Sequence, residues 1–186
     1  MPTADPQPHD ACLTNYRAVH NSGPRLASQV RYIVLHDTES ATARSAAAYF
    51  TTQASGGSSN LVVDDTECYR VLDDLIIPWG APPLNTAGFH IEQAGYASWT
   101  RAEWLAHRAT LERAAYKAAL RCERFKIPVR TLNVLQLRQD FGRHDPLGGI
   151  VTHRTVSAAF GQSDHHDPGA AYPLDVFRAS VQSYMT

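Results

Sequence analysis

Two apolar runs, far apart in the chain, each end on a histidine: Tyr32-Ile33-Val34-Leu35-His36 and Ile150-Val151-Thr152-His153. Short runs of this kind read as buried strands, so each places an imidazole where a buried strand meets the surface. The second run is followed by Asp164-His165-His166-Asp167-Pro168-Gly169, which adds a carboxylate ahead of a Pro-Gly turn. Two neutral imidazoles and one carboxylate make a common open catalytic zinc site, with the fourth position left for water. A strand end is a rigid mount for such a ligand. The spacing is neither His-Glu-x-x-His nor Cys-x-x-Cys. On residues alone, His36 reads equally as a strand-end histidine bonded to a backbone carbonyl.

The 186 residues suffice for one domain with a substantial core. A hydrophobic share of 44% and a charged share of 19% fit an ordinary globular protein. The net charge of −1 gives no reason to expect a nucleic-acid or anionic-membrane partner. No apolar run approaches the roughly 20 residues of a membrane span. The start, Met1-Pro2-Thr3-Ala4-Asp5-Pro6, lacks the basic and apolar stretches of a secretory signal. The expectation is synthesis in a cytoplasm without a signal peptide. Cys12, Cys68 and Cys122 are an odd, widely spaced set, which predicts reduced thiols rather than a disulfide framework.

Along the chain, residues 1–22 show no sustained period and read as an irregular arm laid on the surface or partly disordered. Residues 23–186 read as the folded domain. Ala41–Thr52 is helical by propensity. Leu61–Asp64 and Glu67–Val71 read as a hairpin around Asp65-Thr66. Ala87–Ala94 reads as a central strand. Arg101–Lys126 is the strongest helix, capped by Ser98 or Thr100 and stopped by Pro128. Val134–Arg138 reads as helix or strand, and Leu174–Tyr184 as a closing helix. Strands alternating with helices predict an α/β fold with a central mixed sheet flanked by helices.

These motifs resemble the type-2 family of zinc-dependent N-acetylmuramoyl-L-alanine amidases, which includes phage lysins and peptidoglycan recognition proteins. The matches are Leu35-His36, Gly88-Phe89-His90-Ile91-Glu92, Thr152-His153-Arg154 and Asp167-Pro168-Gly169, in the family's order, across roughly Val30 to Tyr184. The resemblance implies that fold, with a groove above one zinc per chain held by His36, His153 and Asp167. It implies hydrolysis of the amide between N-acetylmuramic acid and L-alanine in peptidoglycan, as a phage endolysin domain acting on the cell wall after release. A separate cell-wall-binding domain in the full-length protein is compatible with it. Two further readings are a non-catalytic peptidoglycan-recognition module and a cytoplasmic amidase that recycles muropeptides.

Glu92 is the candidate proton shuttle. It shares a strand face with His90, opposite Ile91, and its bland alternative is a solvated or arginine-paired glutamate. The chain departs from the family's pattern twice. Ser59-Asn60 stands where many relatives carry Tyr-His, and His165 where some carry a lysine. The His165 imidazole could donate to a developing oxyanion in that lysine's place, or be a solvated loop histidine. His165 and His166 compete with Asp167 as third ligand. Asp37 reads as a partner orienting an imidazole or as a turn cap. Asn85 and Trp79 are candidate substrate contacts, Trp79 as a sugar platform or as buried packing. Arg70, Arg143 and Arg154 are candidates for an extra carboxylate on the stem peptide. His9, His20 and His144 read as solvated, and His107 as a helix-surface residue.

Overall fold

The computed structural model describes residues 11–185. Its centre is a five-stranded sheet with the order β4-β3-β6-β2-β7. The strands are β2 (Tyr32–Asp37), β3 (Leu61–Val63), β4 (Cys68–Arg70), β6 (Gly88–Gln93) and β7 (Gly149–Thr152). β2 pairs in parallel with both β6 and β7, and β3 in parallel with β6. Only β4 is antiparallel, closing the expected hairpin with β3. Every residue of β2 and β6 is buried, which explains unbroken apolar runs in place of strict alternation. Two further strands, β1 (Asn21–Pro24) and β5 (Ile76–Pro78), form a separate antiparallel pair.

Helices cover both faces. On one, Ile33, Leu35, Phe89, Ile91 and Ile150 pack against α3 (Arg108–Phe125) and α6 (Leu174–Tyr184) through Leu111, Ala115, Ala118, Phe177 and Val181. On the other, Tyr32, Val34 and Val151 meet α4 (Val134–Phe141) and α5 (His153–Phe160), while Val62 and Tyr69 meet the alanines of α1 (Ala43–Tyr49). Side chains alternate along a strand. His36, His90 and Glu92 therefore share the face of Val34, on the side of α1 and α5. The expected mixed sheet flanked by helices is the observed fold.

Three local expectations change. The single helix expected over Arg101–Lys126 is two, α2 (Arg101–Ala106) and α3, broken at His107. The Thr100 cap is present as a capping box with Glu103. At the break, His107 Nδ1 lies 2.7 Å from Asp65 Oδ2 and its ring stacks on Trp99 at 4.6 Å. His107 is thus a joint between helices rather than a bare surface residue. Val134–Arg138 is helical, capped by Asn133. The expectation of reduced thiols is wrong for two of the three cysteines: Cys12 and Cys68 form a disulfide, and Cys122 is a buried free thiol. An odd count leaves room for one bridge, and Cys12 reaches β4 because Leu13 pairs with it. The Leu13 N–H donates to Cys68 O (2.8 Å), and the Arg70 N–H donates to Leu13 O (2.9 Å).

Candidate metal centre and groove

Parallel pairing sets the site. Leu35 lies opposite Thr152, so the next residue on each chain, His36 and His153, emerges at the same end of the sheet. His153 opens α5, whose first turn is capped by the Thr152 hydroxyl. The Asp167 turn is tied to the same helix start, with the Arg154 N–H donating to Asp167 O at 2.8 Å. His36 Nδ1 is 2.9 Å from Asp167 Oδ2 and His153 Nδ1 is 3.0 Å from Asp167 Oδ1. One ligand atom from each of these three residues lies within 4.8 Å of the others, so the group could hold a metal ion.

The chemistry of the donor set fits a cation. Burial holds the His153 imidazole down at about 4, leaving it neutral. Burial pushes the Asp167 carboxyl up, but contacts with His153, His165 and His36 outweigh that and keep it ionised. Burial, then the charges of Asp167 and Asp37, push Glu92 well above the ordinary carboxylate range. Burial lifts Asp37 to about 8. Asp37 Oδ2, Glu92 Oε2 and Asp167 Oδ1 are all buried without a well-aligned hydrogen-bond donor, an arrangement a cation would relieve. Each imidazole that presents Nδ1 to the cluster has its other nitrogen held. His36 Nε2 meets His90 Nδ1 at 3.0 Å, and His153 Nε2 meets Ser163 Oγ at 3.2 Å. Outer partners of this kind orient metal ligands.

The cluster floors a groove of about 950 Å³. Tyr49, Phe50, Ser58, Trp79, Pro82 and Asn85 are among the residues that line it, with Ser58 and Trp79 joined by backbone and hydroxyl hydrogen bonds. Glu92 lies on the floor with Oε1 4.0 Å from His36 Nδ1. His165 stacks on His153 at 4.4 Å with its side chain 60% exposed. Contact with Asp167, 3.3 Å from its Nδ1, raises its pKa. His166 lines the groove but is outside the ligand group. Trp79 is 43% exposed, which rules out the buried-packing alternative. Asn85 Oδ1 accepts the Gly80 and Ala81 N–H groups at 3.1 and 2.8 Å, bracing the loop it lines. Asp37 caps its turn, with Oδ1 accepting the Glu39 N–H at 3.0 Å.

Among the described residues lining the groove there is no lysine or arginine. Arg70, Arg143 and Arg154 therefore do not reach it. Arg154 instead lines an adjoining smaller cleft past His165 and His166. Asn60, at the position where many relatives carry the second residue of Tyr-His, is buried structure: its Oδ1 accepts the His90 N–H, and its Nδ2 donates to Asp73 O and Ile76 O. His9 lies outside the described residues. His20, expected in solvent, stacks on Trp79. Strand periodicity puts His90 on the face of Glu92, and the structure buries it fully beneath His36.

A family profile described as N-acetylmuramoyl-L-alanine amidase matches residues 26–170. The chain belongs to this family. Solved structures place it in the same fold. Staphylococcus aureus hydrolase AmiA, determined with its ligand, superposes with a TM-score of 0.70 at 17% identity, over 95% of this chain and 84% of that one. The catalytic domain of XlyA gives 0.59 at 18% identity, over 92% and 99%. N-acetylmuramoyl-L-alanine amidase LysC from Clostridium intestinale URNW gives 0.55 at 12% identity, over 91% and 99%. No curated protein matches significantly. The matched span includes His36, Glu92, His153 and Asp167, all of which line the groove.

Proposed function

We propose that this amidase hydrolyses the amide between N-acetylmuramic acid and L-alanine in peptidoglycan, using one zinc ion held by His36, His153 and Asp167. The observation that carries the reading is the meeting of those three ligand atoms beside a buried glutamate at the floor of a groove. Bound there, zinc would polarise the scissile carbonyl and lower the pKa of a water to about 7.

The chain's own groups supply the rest. Glu92 lies on the groove floor, Oε1 4.0 Å from His36 Nδ1, placed to take the proton of the attacking water and pass it to the leaving nitrogen. His165, more basic than an ordinary histidine and at the open edge of the cluster, donates from its imidazole to the oxygen on which negative charge develops. Trp79 and Asn85 contact the glycopeptide from the groove's side. An intact ligand set with Glu92 argues for an enzyme over a recognition module, which needs none of these groups.

The natural site of action is the cell wall, reached after release from the cytoplasm, as for an endolysin. The Cys12–Cys68 disulfide favours an oxidising compartment over recycling of muropeptides in a cytoplasm. No helix among the described residues is long and apolar enough to cross a membrane. A separate wall-binding domain is compatible with this reading.

The test is metal content together with release of new L-alanine amino termini from purified peptidoglycan. About one zinc per chain and new termini are expected, both lost in His36→Ala and His153→Ala. Zinc without new termini would favour the recognition module. Full zinc and activity in Asp167→Ala would move the third ligand to His165 or His166.

A further inference from the structure

One wall of the groove is held from outside the sheet. Trp79 projects from the end of β5, and its indole Nε1 donates to Ser22 Oγ at 2.8 Å. The His20 ring stacks on the indole with centroids 5.0 Å apart and planes 23° apart. His20 Nε2 reaches Gln53 O at 3.0 Å, in the segment that leads to Ser58, whose N–H donates to Trp79 O. The segment carrying both residues is fastened along its length. Cys12 is bonded to Cys68, Ala18 N–H donates to Val71 O, Val19 N–H donates to Phe50 O, and Asn21 pairs with Pro78.

We propose that residues 12–24 form a strap, clasped by the Cys12–Cys68 disulfide, in which His20 and Ser22 are positioning residues that hold Trp79 as a wall for the substrate. The inference rests on the reading of the groove as the amidase's substrate site. An indole with only 43% exposure to lose and two restraining contacts is pre-organised, so little conformational freedom is spent when a sugar or peptide packs on it. Removing a restraint returns that cost to binding and leaves the groove floor untouched. His20 and Ser22 are not among the residues lining the groove, so they act through Trp79. The clasp matters because the strap's N-terminal end is otherwise joined to β4 by two backbone hydrogen bonds at Leu13.

The test uses the zinc-loaded chain and a soluble N-acetylmuramoyl-L-alanyl peptide. His20→Ala is expected to raise KM about five-fold, the scale of one lost aromatic contact, with kcat within about two-fold. His20→Phe, which keeps a ring over the indole, restores KM. Cys12→Ala shifts KM in the same direction as His20→Ala. Acrylamide quenching of tryptophan fluorescence rises in both His20→Ala and Cys12→Ala, and the rise disappears when Trp79 is also replaced by Phe. Unchanged KM and unchanged quenching in His20→Ala overturn the proposal. So does a fall in kcat alone, or a purified chain in which Cys12 and Cys68 titrate as free thiols. If the wild-type chain cleaves no muramoyl peptide, the amidase reading fails, and the quenching series still decides the strap.

Discussion

His36 and Glu92 occupy the same rung of the sheet. They are register partners on the parallel strands β2 and β6, with His36 Nδ1 4.0 Å from Glu92 Oε1. Backbone pairing therefore fixes the distance between a proposed metal ligand and the proposed proton shuttle, without a flexible loop between them. Glu92→Gln keeps the shape and removes the exchangeable carboxyl. The expected outcome is a loss of about 10²–10⁴ in kcat, the usual scale for a general acid–base, with zinc content unchanged. A fully active variant would remove Glu92 from the mechanism.

His90 sets the orientation of His36, since His36 Nε2 is held by His90 Nδ1 at 3.0 Å and frees Nδ1 for the cluster. Space around His90 is tight: a Cβ at Gly80 would lie 2.4 Å from His90 Nδ1. His90→Phe keeps a ring in that space and deletes the hydrogen bond. Zinc affinity, measured by competition with a chelator, is expected to fall about 10–100-fold. Unaltered affinity would mean that packing alone orients His36.

What the residues disclosed and what they hid follow from the range of the interactions. His36, His153 and Glu92 were legible because strand periodicity is local and the sheet converts it directly into a shared face. Asp167 was legible as a carboxylate ahead of a Pro-Gly turn, and the family's Asp-Pro-Gly pattern set it apart from His165 and His166. The break at His107 was hidden, because the apolar stripe runs through it and its cause is Asp65, forty-two positions away. The Cys12–Cys68 bridge and the contact of His20 with Trp79 were hidden for the same reason. Residues 11–20 carry no period, and their partners are chosen by the folded surface.

The glycine of Asp167-Pro168-Gly169 has a geometric reason. Gly169 has φ +87°, and a Cβ there would lie 2.1 Å from Ala97 O. Gly169→Ala must displace either the loop at Ala97 or the turn that carries Asp167. Gly161, with φ +65° and nothing within 4 Å of an added Cβ, is the control. Gly161→Ala should cost only the left-handed backbone penalty, about 1 kcal/mol, with zinc content intact. Gly169→Ala should cost roughly 2 kcal/mol or more and lower zinc content. Equal losses in denaturant melts, with zinc retained in both, would show that the turn adjusts without moving Asp167.

Asp64 joins two elements far from the chemistry. Its Oδ2 accepts the Ala43 N–H at the start of α1 (2.8 Å), while Oδ1 accepts the Thr66 and Glu67 N–H groups of the β3–β4 turn (2.8 and 2.7 Å). Burial pushes its pKa up, but the hydrogen bonds from Ala43, Thr66 and Glu67 outweigh this and leave it below the ordinary value. A depressed folded-state pKa contributes stability that is present above the unfolded value of about 4 and lost as pH falls through the folded value. Asp64→Asn replaces one acceptor oxygen with a donor facing N–H groups. It should destabilise by about 2 kcal/mol at pH 7, the scale of hydrogen bonds to a charged acceptor. The gap from wild type should narrow as pH drops below about 4, where the wild-type carboxylate also begins to protonate. Urea melts at pH 7 and near pH 3, with chelator present throughout so that metal release contributes to neither, measure both effects. A gap that does not change with pH would show that Asp64 acts through its shape rather than its charge.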